Sequence, residues 1–555
     1  MSNTTMITAR ASERALAPGT ADGTHDGGAS GGCWALLPVL LGVGLLALPT
    51  LAFPFGPDQA IFATIGQAIN RGGFPYVDAW DQKPPAIYLL YALALRLPGP
   101  LMMRVRLFDL LWTGGALIAL FFLLRHLWNA RAAAFGTALM GAVYFTTQGW
   151  WYLAQPDGLA ALPLALALVF SLARGRWRWP SWVAAGAFTG LAFQLRFTAA
   201  PLVPAFVWTY ILLERGGRRR LLGWTLWAGG GFLAVQAALL AYLAAGHALH
   251  AYLEATRFAA GYARLGWPFA PRERTFFTFL DYVRDSLALF TFSHAVFVLP
   301  ALAGMFAAFF VARDRALRAA AAMTLVGFLG IAVQQKFFWY HWQVLFPALA
   351  LLAGWTWDRA FSLLERLRAD SWAALGQGTL VAALLLLTPA VTEQAYDQWD
   401  GFLHRNDSVT ARLAYENQFG PYADGTYSYL ADRQVADYVR AHTQPHESIY
   451  VFGYEPLIYL LSERASASRF IYSLPFMSGW APRRWLDEFL AEIDRNRPVY
   501  FIVQRNEGAA EWITGQRLDT AAWATRLLPG VAARLERDYA YEVEIEDFTL
   551  YRRRE

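Results

Sequence analysis

Cysteine is almost absent from this chain: the single Cys33 leaves no partner for an intrachain disulfide and no thiolate set for a metal cluster. Charge is scarce too, at 16% of residues against 56% hydrophobic. That balance excludes an ordinary soluble globule and points to a polytopic membrane protein. The net charge is only +5, and Lys and Arg fall in short clusters between apolar runs, so no nucleic-acid partner is expected. Internal repeats are not evident either.

What the chain has in quantity is long apolar sequence. A membrane span needs roughly 20 apolar residues, and such runs recur from Trp34 to about Ala390. Residues 1–32, rich in Ala, Gly, Ser and Thr, are expected to form a disordered cytoplasmic tail. The run 34–53 is long for the core of a signal peptide and reads as an uncleaved first span. Basic clusters at 125–131, 174–180, 214–220, 313–318 and 366–368 are cytoplasmic by the positive-inside rule. The stretches 55–100, 149–158, 246–285 and 334–340 carry acids and aromatics and belong to the opposite face.

This alternation predicts a polytopic all-α membrane protein of about eleven transmembrane helices with juxtamembrane helices on the outer side. Near 190–199, Arg196 interrupts two short apolar halves, which form either a tight hairpin or a broken helix. After Ala390, ADRQVADYVRAH reads as a helix, SIYVFGYE and RPVYFIVQ as strands, and YEVEIEDFTLYRR as a half-buried edge strand. The expected division is the tail 1–32, a membrane domain 33–390 with first outer loop 54–100, and a small C-terminal α/β domain 391–555 outside the cytoplasm.

Candidate chemistry concentrates in the first outer loop. Asp58 follows Gly56-Pro57 and opens a helix whose stripe is Ile61, Ile65, Ala68 and Ile69, ending at Gly72-Gly73 and expected to lie along the membrane surface. Taken alone, a first-turn carboxylate is an ordinary helix-dipole partner worth roughly 0.3–1 kcal/mol. Lys83 precedes Pro84-Pro85, which holds it extended beside the free N–H groups of the next helix, a corner suited to phosphate. A lysine snorkelling at an interface is the plainer reading. Asp157 stands at the lip of a span, where an acid is costly unless hydrated or used. Lys336 and His341 share a loop with Trp339, Tyr340 and Trp342, by itself an aromatic belt.

The pieces PDQAIFATIGQAINRGGFPYVDAWDQKPPAIY, RVRLFDLLW, AQPDGLAA, GLAFQLRFTAAPL, KFFWYHWQVLFPALALL and VFGYEPLIYLLSERASASRF together resemble the GT-C superfamily. The branch is that of protein O-mannosyltransferases and lipid A aminoarabinose transferases, which use polyprenyl-phosphate sugars. The resemblance implies Asp58 as catalytic base or metal-linked acid, assisted by Asp157, and Lys83 as holder of the donor phosphate. Cations at Arg104 or Arg106, Arg196, Lys336 and His341 would join in binding the phosphate, and Tyr76, Asp78, Trp80, Asp81, Gln82 and Trp151 would shape the sugar and acceptor pocket. The implied donor is a polyprenyl-phosphate-linked sugar among membrane lipids, and the acceptor a hydroxyl on a lipid, glycan or protein. Inverting transfer is expected, in a bacterial inner membrane with the amino terminus cytoplasmic and the C-terminal domain periplasmic.

Two departures bear on metal. Where an Asp-Glu pair is common this chain reads Asp58-Gln59, and Gln82 precedes the lysine where aminoarabinose transferases carry glutamate. A divalent metal ion would then rely on Asp58 and Asp157, with Asp78 or Asp81, and metal dependence stays open. The loop 246–285, with Arg257, Arg264, Tyr262, Trp267 and Phe269, is expected to cover a lipid-facing entrance. A flippase or transporter without chemistry is the alternative, disfavoured because the ionisable residues gather on one face and not at a midplane between repeats. A purely structural membrane subunit would have no use for the acidic first loop.

Overall fold

A computed structural model of the chain describes residues 34–214, 217–266, 275–366, 387–420, 427–505 and 528–555, with single positions between 375 and 379. The expected disordered tail, Cys33, Trp267 and Phe269 lie outside the described residues.

Apolar runs interrupted by proline and polar residues become helices of unequal length. In chain order they are α1 (Leu36–Ala47), α2 (Pro57–Asn70), α3 (Ala86–Ala94), α4 (Leu101–Leu127), α5 (Ala130–Thr147), α6 (Pro156–Leu159), α7 (Ala161–Ser171) and α8 (Arg178–Leu195). Then follow α9 (Leu202–Leu212), α10 (Arg218–Ala245), α11 (Leu249–Arg264), α12 (Phe276–Ser293), α13 (Ala295–Phe310), α14 (Arg315–Gln334) and α15 (Phe346–Glu365).

Among the described residues, α4, α10 and α14 are each long and apolar enough to cross a membrane. Two bent pairs add to them. The first joins α1 and its 3₁₀ extension to α2 at 81°, and the second joins α12 to α13 at 114° about His294. The eleven expected spans are thus not eleven single long helices; bent pairs and shorter apolar helices such as 156–171 and 197–212 take up part of the apolar sequence.

Helix contacts are close where small residues allow. α8 and α10 pack through Gly186 and Gly231, where a Cβ would overlap the carbonyls of Ala228 and Val183. At Arg196 the backbone turns extended, and the chain divides: α8 packs on α7 and α10, whereas α9 packs on α14.

Beyond the membrane helices come α16 (Pro389–His404) and α17 (Val409–Asn417), of which α16 packs on α5 and on the 3₁₀ turn Leu48–Ala52. The α/β unit follows: α18 (Tyr429–His442), β1 (Ser448–Phe452), α19 (Leu457–Ser462), β2 (Ala465–Ser466), α20 (Arg483–Asn496), β3 (Tyr500–Gln504), α21 (Pro529–Asp538), β4 (Tyr539–Ile545) and β5 (Phe548–Arg553). The sheet order is β2-β1-β3-β5-β4, parallel between β1 and both β2 and β3, antiparallel from β3 through β5 to β4. One sequence expectation is corrected here. The run read as a single edge strand is a hairpin, because Glu546 takes a left-handed conformation (φ 52°) and reverses the chain, so that β5 is interior and β4 lies at one edge.

Candidate active site

Proline presets the backbone for a helix start and loses no hydrogen bond there, so α2 begins at Pro57 and puts Asp58 in its first turn. Gln59 explains the missing glutamate. Its Oε1 accepts the Gly56 N–H at 2.8 Å, while its Nε2 donates to the carbonyls of Trp151 (2.6 Å), Leu153 (2.9 Å) and Trp150 (3.3 Å). A carboxylate has no proton to give those carbonyls. From below, the buried Arg106 donates to the same loop, to Trp150 O at 2.9 Å and Leu153 O at 3.4 Å, and to Phe53 O and Pro54 O. Buried carbonyls need partners, and Gln59 with Arg106 supplies them, joining the first outer loop to the second.

The stretch before Lys83 is equally tied down. Tyr76, in a left-handed conformation (φ 72°), donates its hydroxyl to Lys83 O at 2.8 Å, and Asp78 accepts the Phe74 N–H at 2.7 Å. Asp81 is buried and accepts hydrogen bonds from Tyr472 (2.6 Å) and Tyr88 (2.9 Å). Burial raises its pKa above the usual carboxylate range, against the opposing pull of Lys83 and of those hydroxyls. Pro85 caps α3, as the Pro-Pro pair predicts.

These walls hold a cavity of about 140 Å³ lined by Gln82, Lys83, Arg196, Lys336, Tyr340 and His341, among others. The Lys83 ammonium sits 5.5 Å from the Tyr340 ring and 5.7 Å from that of Phe62, and among the described residues it makes no ion pair. Asp157, only 1% exposed, pairs with Arg196 at 3.1 Å, and Arg196 also donates to Gln334. Lys336 lies over the Tyr262 ring and donates to the carbonyls of Tyr262 and Gly266, each at 3.1 Å. His341 is buried, its Nδ1 without a hydrogen-bond partner. Burial first, then the charges of Arg196, Lys83 and Lys336, hold it well below the usual histidine range, so it stands neutral among three cations. Asp58 is half-buried, and its charge acts on Tyr262 and Tyr340 of the cavity wall.

The C-terminal unit completes the wall. Tyr454, in the turn after β1, sets its hydroxyl 3.5 Å from Asp58 Oδ1, and Arg469 binds Tyr76 O at 2.8 Å while its own carbonyl accepts the Trp80 N–H at 2.7 Å. Trp80 is fully buried among Phe258, Phe470, Tyr472 and Trp485. Sequence reasoning did not single out Tyr454, Arg469 or Tyr472, although the first two lie in the VFGYEPLIYLLSERASASRF piece quoted for the resemblance.

A second supporting element was also missed. His294, at the α12/α13 bend, must donate from Nδ1 to Phe290 O (2.8 Å), which leaves Nε2 to accept from Gln148 (2.6 Å). Gln148 Oε1 accepts from Gln343 (2.9 Å), which also donates to Tyr152 O (2.8 Å). Gln343 presses on Gly158, where a Cβ would collide with it, so this chain of bonds fixes the loop that carries Asp157.

Of the expected site residues, the fold therefore gathers Gln82, Lys83, Arg196, Lys336 and His341 around one cavity, with Asp157 behind Arg196 and Asp58 against the same aromatic wall. Tyr76, Asp78, Trp80 and Asp81 build the first loop, and Trp151 packs beside Trp150 and Tyr427. Arg104 is not brought to the cavity: it donates to Gly99 O (2.6 Å) and Leu95 O (3.0 Å) at the end of α3. Arg106 is held by carbonyls as described. A divalent cation finds a poor donor set, because Asp157 is already paired with Arg196, and among the described residues no three His, Cys, Asp or Glu side chains converge as ligands.

No protein of curated function matches the chain in sequence. Residues 82–243 match the family model described as dolichyl-phosphate-mannose-protein mannosyltransferase. ArnT from Cupriavidus metallidurans, in its crystal structure bound to undecaprenyl phosphate, superposes with a TM-score of 0.58 at 16% identity, covering 94% of this chain and 98% of ArnT. Its apo form gives the same TM-score and identity, with 93% and 97% covered. The Archaeoglobus fulgidus oligosaccharyltransferase reaches a TM-score of 0.47 at 13% identity, covering 85% of this chain and 69% of its own. The GT-C-like architecture expected from the motifs is thus met in the fold: over nearly its whole length, the chain folds as ArnT does.

Proposed function

We propose that the chain is an integral-membrane glycosyltransferase that moves a sugar from a polyprenyl-phosphate donor to a hydroxyl acceptor on a lipid, glycan or protein. The observation that carries this reading is the cationic cavity around Lys83 and Arg196 in an ArnT-like fold, with the Asp58 carboxylate near enough for its charge to act on Tyr262 and Tyr340 of the cavity wall. In this account the acceptor hydroxyl attacks the anomeric carbon, its proton passes to Asp58, and the bond from that carbon to the phosphate oxygen breaks. Lys83 and Arg196 stabilise the charge that grows on the departing phosphate monoester. His341, being neutral, adds a polar contact without further positive charge. Asp157 acts through Arg196, holding the guanidinium toward the cavity. With Asp157 held in that pair, no second free carboxylate at the cavity is offered as a nucleophile among the described residues, which supports a single displacement with inversion; a product of retained configuration would contradict it.

The same reading places the cavity and the C-terminal unit on the periplasmic face of a bacterial inner membrane, with the amino terminus cytoplasmic. The division at 1–32, 33–390 and 391–555 belongs to it. Lys336 then serves less as a phosphate contact than as the clasp holding α11 and the start of the loop 246–285 over the entrance.

The test is to incubate purified wild type and Asp58→Asn in detergent with a panel of polyprenyl-phosphate sugars and acceptor lipids, and to follow release of polyprenyl phosphate. Release by wild type alone supports the reading. Donor that is bound yet unchanged across the panel would favour transport instead.

A further inference from the structure

A second polar cavity, of about 320 Å³, opens where the turn between α16 and α17 meets the outer end of α1. Ala52 and Pro54 line it on the α1 side, and Arg405, Asn406, Arg412, Tyr415, Glu416 and Tyr429 contribute its polar groups. Arg405 is half-buried, rests on the Phe402 ring and donates to the Phe402 carbonyl, and among the described residues it has no carboxylate partner. Arg412 shares Glu416 with Arg433, at 3.1 and 2.7 Å, so one carboxylate is divided between two guanidinium groups while Arg405 has none. The nearby Asp400 and Asp407 are turned to His404. The Tyr415 hydroxyl is buried without a hydrogen-bond partner. An excess of fixed cations and an unused hydroxyl at one cavity form a receptor for a phosphate oxygen.

The surroundings say which kind of phosphate. Leu403, Val409 and Leu413, on the same two helices α16 and α17 that bring the lining residues, are 61%, 77% and 39% exposed, apolar side chains that water does not favour. The α1 side of the cavity lies at the end of the first span, where headgroups meet hydrocarbon. Phosphate on an inorganic ion has no use for such apolar neighbours, whereas phosphate on a lipid brings acyl chains to cover them.

We infer that this cavity binds the phosphate headgroup of an anionic membrane lipid in the outer leaflet, at a place separate from the Lys83 cavity. The inference does not rest on the proposed transferase activity, and its test reads binding alone.

Full-length protein in detergent is titrated with short-chain phosphatidylglycerol, phosphatidylcholine or sodium phosphate, and bound lipid is counted by native mass spectrometry. Wild type should retain phosphatidylglycerol in preference to phosphatidylcholine. The double substitution Arg405→Ala with Arg412→Ala should weaken that retention about tenfold or more, while Glu416→Gln, which frees two guanidinium groups, should strengthen it. The gain in Glu416→Gln guards against misfolding, since a damaged site does not bind tighter. Equal lipid retention by wild type and the double variant would overturn the inference, as would equal retention of phosphatidylcholine. Displacement of the lipid by equimolar sodium phosphate would assign the cavity to free phosphate and overturn the lipid assignment.

Discussion

Two sets of polar groups lie within the same outer region, and they are engaged in opposite ways. At the junction of the first and second loops, Arg106 and Gln59 have their donors matched to carbonyls of 53, 54, 150, 151 and 153. Around the cavity, Lys83 has only aromatic faces, and the Nδ1 of His341 and the Oε1 of Gln82 have no partner at all. A buried polar atom without a partner costs about 1–3 kcal/mol, which a ligand that supplies the bond recovers. The difference sets donors matched to carbonyls of the fold apart from groups that face the cavity, where residue type alone does not.

The comparison can be broken first at Asp58. Replacing it with Asn should lower turnover by about 10²–10⁴-fold, the range for loss of a general base, and leave the unfolding midpoint near that of wild type. Steady-state release of polyprenyl phosphate, beside a thermal melt, checks both. At the junction the pattern should invert: Gln59→Glu sets a carboxylate against three carbonyls and should cost roughly 1–3 kcal/mol of stability, read as a lower melting temperature.

Gln59 also marks how far the sequence alone could go. The helix that opens at Asp58 and stops before Gly72-Gly73, the strands β1 and β3, and the break at Arg196 were legible because periodicity, glycine and a lone charge signal locally. The reason for glutamine at 59 was not, since its partners stand more than ninety residues away. Arg104 and Arg106 read alike in RVRLFDLLW, yet they sit two positions apart on a helix and so face different surroundings, one near the end of α3 and the other under the loop junction. Trp80 reads as a sugar platform, and only the packing of Phe470 and Trp485 against it turns it into a docking residue for the C-terminal unit. Tyr454 reaches Asp58 across nearly four hundred residues of chain, a contact no local pattern encodes.

Acid pH sharpens the comparison further. His341 is held neutral, its folded pKa below the unfolded value of about 6.5. The unfolded chain therefore binds the proton more readily, and the stability tied to neutral His341 is present above about pH 6.5 and lost as pH falls below it, by up to about 1.4 kcal/mol per unit. His341→Gln should flatten that acid limb in melts taken from pH 7.5 to 5. The smallest effect is expected at Arg104, whose bonds to Gly99 and Leu95 lie near the surface. Arg104→Ala should change stability by no more than about 0.5 kcal/mol and leave donor turnover within a few-fold of wild type.

The most direct single measurement compares Lys83→Gln with Arg106→Gln for two quantities taken together, affinity for undecaprenyl phosphate and midpoint of thermal unfolding. The account predicts that Lys83→Gln loses affinity with an unchanged midpoint, while Arg106→Gln melts earlier and, at a temperature where it remains folded, still binds. A Lys83 variant that melts early with affinity intact, or an Arg106 variant that is stable but no longer binds, would contradict the assignment of ligand binding to the cavity and of fold to the junction.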